Sequence, residues 1–392
     1  MKNWSVKKLG EVCEIVNGGT PKTGLPEYWD GEYLWLTPAE MGKRKSPYLG
    51  VTQRTISETG LRNSSARMLP PYSVILSSRA PIGYLVINEL PMATNQGCKG
   101  LVPSDCMDYK FLYYYLSGSV DLLNSLGTGA TFKELSGGKL KEIQVPLTPL
   151  PEQRRIVKIL DEAFEAIEKA KENVERNLRN ANQLFESYLN GILLKMKRDL
   201  KELRLGEVYD VRDGTHDSPK YQKDGYALIT SKNLKKGKLD YQNIKYISEK
   251  DYLKISERSK VHKGDILFAM IGTIGKPVLV DIDPDFAIKN VALFKVPREQ
   301  DGYFLKYFLG SGAVVDKMIS EANGTTQKFV GLGYLRNFKI PLPPLPEQRT
   351  IVTRLDALSG ETKKLETIYQ RKLACLDELK KSLLQKAFAG EL

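Results

Sequence analysis

Histidine and cysteine are the scarcest reactive residues in this sequence, with two of the first and four of the second among 392 residues. Cys13, Cys98, Cys106 and Cys375 are scattered without a CxxC pair. Neither a disulfide framework nor a structural zinc site is therefore expected, and a reducing cytosol fits. No stretch of about 18 apolar residues occurs, so no membrane span is expected. "MKNWSVKKLGEVCEIVNGG" is basic, without an apolar run or a small-residue cleavage site, and does not read as a secretory signal. A GxxxxGK[ST] loop is missing, which leaves ATP hydrolysis by a P-loop without support. "GTGATF" (Gly127 to Phe132) lacks the third glycine of GxGxxG and follows a helical stretch, making it a poor dinucleotide site.

Acidic excess is missing too. The net charge is +12 and the pI about 9.2, a balance that favours a polyanionic partner. The charge is +3 over residues 1–150, +2 over 151–198, +5 over 199–345 and +2 over 346–392, so most of the excess lies in the two longer segments.

Those segments repeat one another. "LGEVCEIVNGGTPK" from Leu9 is answered by "LGEVYDVRDGTHDSPK" from Leu205, and "DGEYLWLT" from Asp30 by "DGYALIT" from Asp224. "YSVILSSRAPIG" ending at Gly83 is answered by "GDILFAMIGTIG" ending at Gly275, and "ATNQGCKGLVP" by "AIKNVALFKVP". "FLYYYL" matches "FLKYFL", "GATFK" matches "GTTQK", and "VPLTPLPEQRRIV" from Val145 matches "IPLPPLPEQRTIV" from Ile340. Ordered matches at a near-constant offset mark an internal duplication.

Each copy opens with short β-branched and aromatic runs punctuated by Gly, Pro and Asn, the pattern of an α+β unit rich in strands. "YKFLYYYLSGSVDLLNSL" reads as one helix ended by Gly127. Each copy closes on a long helix. Ile156, Ala163, Ala170 and Leu184 share one heptad position, interrupted only by Asn177, and Leu160, Ile167, Val174, Ala181 and Tyr188 share another. The second copy places Ile351, Leu358, Leu365 and Leu379 on the first position, with Leu355, Tyr369, Leu376 and Leu383 on the other; Thr362 and Lys372 weaken it. Such stripes predict a coiled coil. About 45 helical residues would span roughly 65–70 Å, and a pseudo-two-fold axis would make the helices antiparallel with a globular domain at either end. Gly191 and Gly360 are candidate points of bending or shortening. In the repeated phrase, Pro146 and Pro149 hold the chain extended, Pro151 suits a first helical turn, and Glu152 suits the helix dipole. Pro341, Pro343, Pro344, Pro346 and Glu347 repeat the arrangement.

Catalytic chemistry is hard to find. "DPDF" (Asp283 to Phe286) resembles the active-site loop of amino-methyltransferases only loosely, lacking its second proline and any glycine-rich cofactor loop. His216 and His262 have no nucleophile in a recognisable setting and neither has a repeat equivalent, so they read as loop residues, with His216 also able to touch a phosphate or base. What remains is polar loop chemistry suited to DNA. The candidates are Thr20, Lys22, Lys43, Arg44, Lys45, Arg79, Asn95 and Gln96 in the first copy, and Thr215, His216, Lys220, Lys232, Asn233, Lys289 and Asn290 in the second. Lysines and backbone amides hold phosphates, whereas Arg, Asn and Gln pair with base edges.

The duplicated "PLPEQR" phrase, the heptad helices, "LLQKAFAGEL" and "W…LGEV…NGGTPK…YWDGEYLWLT" together resemble the specificity subunit of type I restriction-modification enzymes, over the whole chain. The resemblance implies target recognition domains at 1–145 and 199–340 and helical regions at 146–198 and 341–392, the helices forming an antiparallel coiled coil. Each domain would read half of a split double-stranded DNA site, with the coiled coil setting the spacer. The subunit itself would be non-catalytic and bind no cofactor. Two modification subunits would bring S-adenosylmethionine, and restriction subunits would bring ATP and Mg, all in a prokaryotic cytoplasm. Carried onto this chain, docking of the modification subunits falls on Pro151, Glu152, Gln153, Arg154, Pro346, Glu347, Gln348 and Arg349. Two other classes stay open: a coiled-coil structural adaptor that reads no DNA, and a self-sufficient methyltransferase or nuclease.

Overall fold

The computed structural model describes residues 4–44, 46–129, 133–235, 237–322, 324 and 328–392. Two compact units emerge, Met1–Val174 with Arg371–Leu392, and Glu175–Gln370. Their boundaries fall inside the two long helices, Leu150–Asp199 and Leu345–Phe388.

In the first unit a five-stranded sheet runs in the order Cys13–Asn17, Cys98–Pro103, Val74–Ser78, Ile82–Asn88 and Tyr48–Leu49. Its central strand, "VILSS", is buried along its whole length, so Val74, Ile75 and Leu76 stand in succession and do not alternate with polar residues. The buried hydroxyls are satisfied: Ser77 donates to the Pro81 carbonyl at 2.8 Å and Ser78 to that of Gly97 at 3.1 Å. A three-stranded sheet holds Arg54–Ile56, Trp29–Leu36 and Ala93–Thr94, the last pair parallel. Ser5–Lys8 pairs with Gln144–Leu147, so the first "VPL" of the repeated phrase is a strand.

The second unit repeats this plan. A four-stranded sheet orders Asp210–Asp213, Val291–Lys295, Ile266–Ala269 and Gly275–Leu279; a three-stranded sheet orders Lys245–Ile247, Tyr226–Ile229 and Phe286–Ile288. Glu202–Arg204 pairs with Lys339–Pro341. Each unit packs an aromatic helix, Tyr109–Gly118 or Gly302–Gly310, into its main core. The single helix expected over Tyr109–Leu126 is two, Tyr109–Gly118 and Val120–Leu126, parted at Ser119, whose hydroxyl bonds back to the Tyr115 carbonyl at 2.8 Å.

The long helices pack together within each unit, and in the first they run antiparallel. In the first, Lys171 meets Asp377 at 2.5 Å, Lys380 meets Glu168 at 3.4 Å, and Arg155 donates to the Leu392 carbonyl at 2.7 Å. Numbers rise on one helix as they fall on the other. In the second, Ile192, Leu193 and Met196 share a core with Ile351 and Val352. Neither Gly191 nor Gly360 stops its helix. The heptad reading fails in places. Leu184, Tyr188 and Leu379 are 50%, 40% and 47% exposed, whereas Leu189 and Met196 are buried. A near-straight helix has 3.6 residues per turn, so the buried stripe slips relative to a strict seven-residue repeat; here it moves on by about one position beyond Asn177. Thr362 sits buried in the stripe with its hydroxyl bonded to the Leu358 carbonyl at 3.0 Å.

Cys13 and Cys98 are buried, and burial pushes both thiols up to about 12, while Cys106 and Cys375 are exposed. A maleimide at neutral pH is expected to label Cys106 and Cys375 in the folded chain and the other two only after denaturation. Mass spectrometry of the labelled peptides reads this, and rapid native labelling of Cys98 would contradict its place in the core.

Candidate nucleic-acid interface

The main sheet of each unit ends in a loop that turns back over a neighbouring strand. In the first unit Gly18 donates to the Cys98 carbonyl at 3.2 Å and Gly19 to that of Thr94 at 2.8 Å. In the second, Gly214 donates to Val291 at 3.0 Å and Thr215 to Ile288 at 3.0 Å. The bond from Gly19 to Thr94 matches that from Thr215 to Ile288, which sets Gly18 on Gly214, Gly19 on Thr215, and therefore Thr20 on His216. The histidine thus has a positional counterpart, although not another histidine.

Around these residues the sequence candidates divide. Thr20 donates to the Gln96 side chain and accepts from the Asn95 amide at 2.9 Å. Arg79 lies beside the same loop, 3.8 Å from Glu134, and a Cβ on Gly97 would stand 3.1 Å from both the Arg79 Nε and the Asn95 Oδ1. Thr20, Arg79, Asn95 and Gln96 therefore form one patch. In the second unit the His216 ring bridges Asp213 Oδ2 and Asn290 Oδ1, each at 2.9 Å. Asp213 is 4% exposed and also takes the Arg258 guanidinium. Lys289 reaches Ser218, and Lys289 and Thr215 are bridged through the backbone. Lys22, Lys43, Lys220 and Lys232 are exposed.

Two candidates are turned away from solvent, and a third cannot be placed. Arg44 is turned inward, donating to Glu40 and to the Val51 carbonyl at 2.8 Å each, so its fork is committed to its own loop. Asn233 is 7% exposed; its oxygen accepts from the Thr230 backbone and hydroxyl, and its amide donates to the Asp240 carbonyl at 3.0 Å. Lys45 lies outside the described residues.

The helix-start residues divide as well. Pro151, Arg154, Pro346, Glu347 and Arg349 are exposed and Glu152 is half-buried. Gln153 and Gln348, both 0% exposed, have no surface to offer a partner. Gln153 accepts from the Asp108 amide at 2.8 Å and donates to the carbonyls of Cys106 and Thr148 at 2.8 and 2.7 Å. Gln348 accepts from the Asp301 amide at 2.9 Å and donates to the Pro343 carbonyl at 2.8 Å and the Gln300 side chain at 2.7 Å. Asp108 and Asp301 in turn cap the aromatic helices. The glutamine of "PEQR" is an internal latch that fastens the long helix to its globular domain.

Sequence reasoning passed over the residues that position the first loop. Trp35 donates its indole N–H to the Gly19 carbonyl at 2.9 Å, and Trp29 donates to that of Lys22 at 3.2 Å. The Arg54 guanidinium lies 3.7 Å from the centre of the Trp29 ring. In the second unit the Lys245 ammonium lies 4.1 Å from the Tyr221 ring. The tryptophans were visible in "YWDGEYLWLT", but nothing local in the sequence links Arg54 to Trp29 or Arg258 to Asp213. Among the described residues no three His, Cys, Asp or Glu side chains gather to hold a metal ion, and no helix is long and apolar enough to cross a membrane.

Relatives and solved structures agree with this architecture. The chain is 26% identical to the type I restriction enzyme MjaIX specificity subunit of Methanocaldococcus jannaschii, covering 100% of this chain and 94% of that protein. It is 28% identical to the EcoBI specificity subunit of Escherichia coli over 78% of this chain and 70% of that one. The HsdS subunit from Thermoanaerobacter tengcongensis shares the fold with a TM-score of 0.62 at 19% identity, over 100% of this chain and 98% of that one. A chain solved to explain complex assembly and conformational transition of the type I R-M system shares it with a TM-score of 0.79, also at 19% identity, over 100% and 99%. The family model of the type I restriction modification DNA specificity domain matches residues 1–176 and again 197–372. Two matches over most of the sequence, on two units whose main sheets share the order of four strands and the same latch, establish that the chain belongs to the type I restriction modification DNA specificity family.

Proposed function

We propose that this chain is the DNA sequence-specificity subunit of a type I restriction-modification complex. Each unit reads one half of a bipartite duplex target, and the long helices set the spacer. The recognition domains are residues 1–145 and 199–340, and the helical regions 146–198 and 341–392. The observation that carries this reading is the repeated loop pair. The same backbone scaffold presents Thr20, Asn95 and Gln96 in one unit and His216, Lys289 and Asn290 in the other, as two readers of different half-sites require.

The chain itself makes and breaks no covalent bond. Two modification subunits supply S-adenosylmethionine and methylate adenine, and restriction subunits supply ATP with Mg for translocation and cleavage, in the cytoplasm of a prokaryote. The exposed Pro151, Arg154, Pro346, Glu347 and Arg349, with the outer helix faces, dock the modification subunits.

Exchanging residues 199–340 for those of another family member is expected to move one half-site and leave the other unchanged. Inserting one heptad in both long helices is expected to change the spacer alone. Mapping methylated adenines in a host carrying each variant reads both outcomes. Equal binding of all duplexes by the assembled complex, or an unchanged spacer with altered half-sites, would sink the reading. A coiled-coil adaptor would give no base-specific protection.

A further inference from the structure

Superimposing the two loop pairs separates what the duplication has kept from what it has changed. The groups on the loops differ: a threonine in one unit and a histidine in the other, Asn95 and Gln96 against Lys289 and Asn290. Beside each loop, one arrangement is the same in kind. The strand Arg54–Ile56 and the strand Lys245–Ile247 hold equivalent edge positions, each antiparallel to the strand that runs on toward the loop. The first residue of each is an exposed cation lying over an aromatic ring, Arg54 over Trp29 at 3.7 Å and Lys245 over Tyr221 at 4.1 Å. Each ring belongs to the loop system: Trp29 bonds the Lys22 carbonyl, and Tyr221 follows Lys220 directly. Lys22 and Lys220, closing "TPK" and "SPK", are both exposed. Neither Arg54 nor Lys245 has an ion-pair partner among the described residues. The rings differ in identity and in their place in the sequence, so alignment alone does not reveal the match.

We infer that Arg54 and Lys245, with Lys22 and Lys220, are phosphate clamps that hold the DNA backbone beside the base-reading loops. The inference rests on the DNA-reading function proposed above. An arginine and a lysine share charge but not hydrogen-bonding geometry, a planar fork in one and a compact ammonium in the other. A position that keeps only the charge across two units with different reading residues therefore fits a contact that carries no sequence information. The ring beneath each cation holds the side chain in one direction without neutralising it.

The test uses the full chain assembled with its modification subunits, a duplex carrying the mapped target, and a second duplex with both half-sites scrambled. Arg54→Gln and Lys245→Gln are each expected to weaken binding to both duplexes by the same factor. Each should also lower the slope of log affinity against log salt by about 0.9, and the double variant by about twice that. Arg54→Lys is expected to keep the wild-type slope, and thermal melting of each variant reports whether the unit is folded. An unchanged slope in the folded glutamine variants would overturn the clamp. So would a loss confined to the target duplex, which would make these residues base readers. Equal binding of both duplexes by the unmodified complex would instead overturn the DNA-reading function itself.

Discussion

Gly214→Ala is expected to destabilise the second unit by about 3 kcal/mol, and Gly18→Ala the first by a similar amount. A Cβ on Gly214 would stand 2.1 Å from the Ile288 carbonyl oxygen and 2.4 Å from its carbon; on Gly18 it would stand 2.0 Å from the Asn95 oxygen. The obstacles are backbone atoms at the ends of paired strands, so no side-chain rotation relieves them. The loop must lift away, and the bonds from Gly214 to Val291 and from Gly18 to Cys98 stretch or break. Thr20 or His216 then leaves its partners, so each variant is expected to lose recognition of one half-site only. Gly191→Ala is the control: nothing lies within 4 Å of its Cβ position, and alanine in a helix interior should stabilise by about 1 kcal/mol. Urea unfolding together with methylation mapping checks the set. A Gly214→Ala chain of wild-type stability would show that the loop does not need this close approach.

Gln153→Ala is expected to cost about 3 kcal/mol in the first unit, and Gln348→Ala about the same in the second. Each removes three hydrogen bonds from a fully buried amide and leaves a cavity. Gln153 takes with it the partners of the Asp108 amide and of the Cys106 and Thr148 carbonyls. Gln153→Glu is expected to be no milder at neutral pH. A carboxylate still accepts from Asp108 but donates to neither carbonyl, and it brings a buried charge. Arg154→Ala, one residue on, removes only an exposed contact 3.9 Å from Asp108 and should cost less than about 0.5 kcal/mol. Urea midpoints for the four variants separate a latch from a docking surface; equal small effects at Gln153 and Arg154 would rule the latch out.

The duplication, the α+β units, the paired long helices and the family were all legible from residue order. They rest on local chemistry repeated at a fixed spacing: proline before a helix start, apolar runs at strand period, apolar stripes at helix period. The start of each long helix was close to readable because Pro151 and Pro346 announce it. The rest needed the tertiary structure, because it depends on which distant backbones come together. A glutamine beside a helix start looks the same whether it faces solvent or seals a core, and only the packing of Asp108 and Asp301 against it decides. Arg44 and Asn233 looked available for DNA until Glu40 and Asp240 were placed beside them. The heptad stripe slipped past Asn177 because helix geometry, not the seven-residue pattern, chooses which side chains turn inward. Arg54 and Lys245 could not be paired from the sequence at all, since the rings that hold them come from different places in their two units.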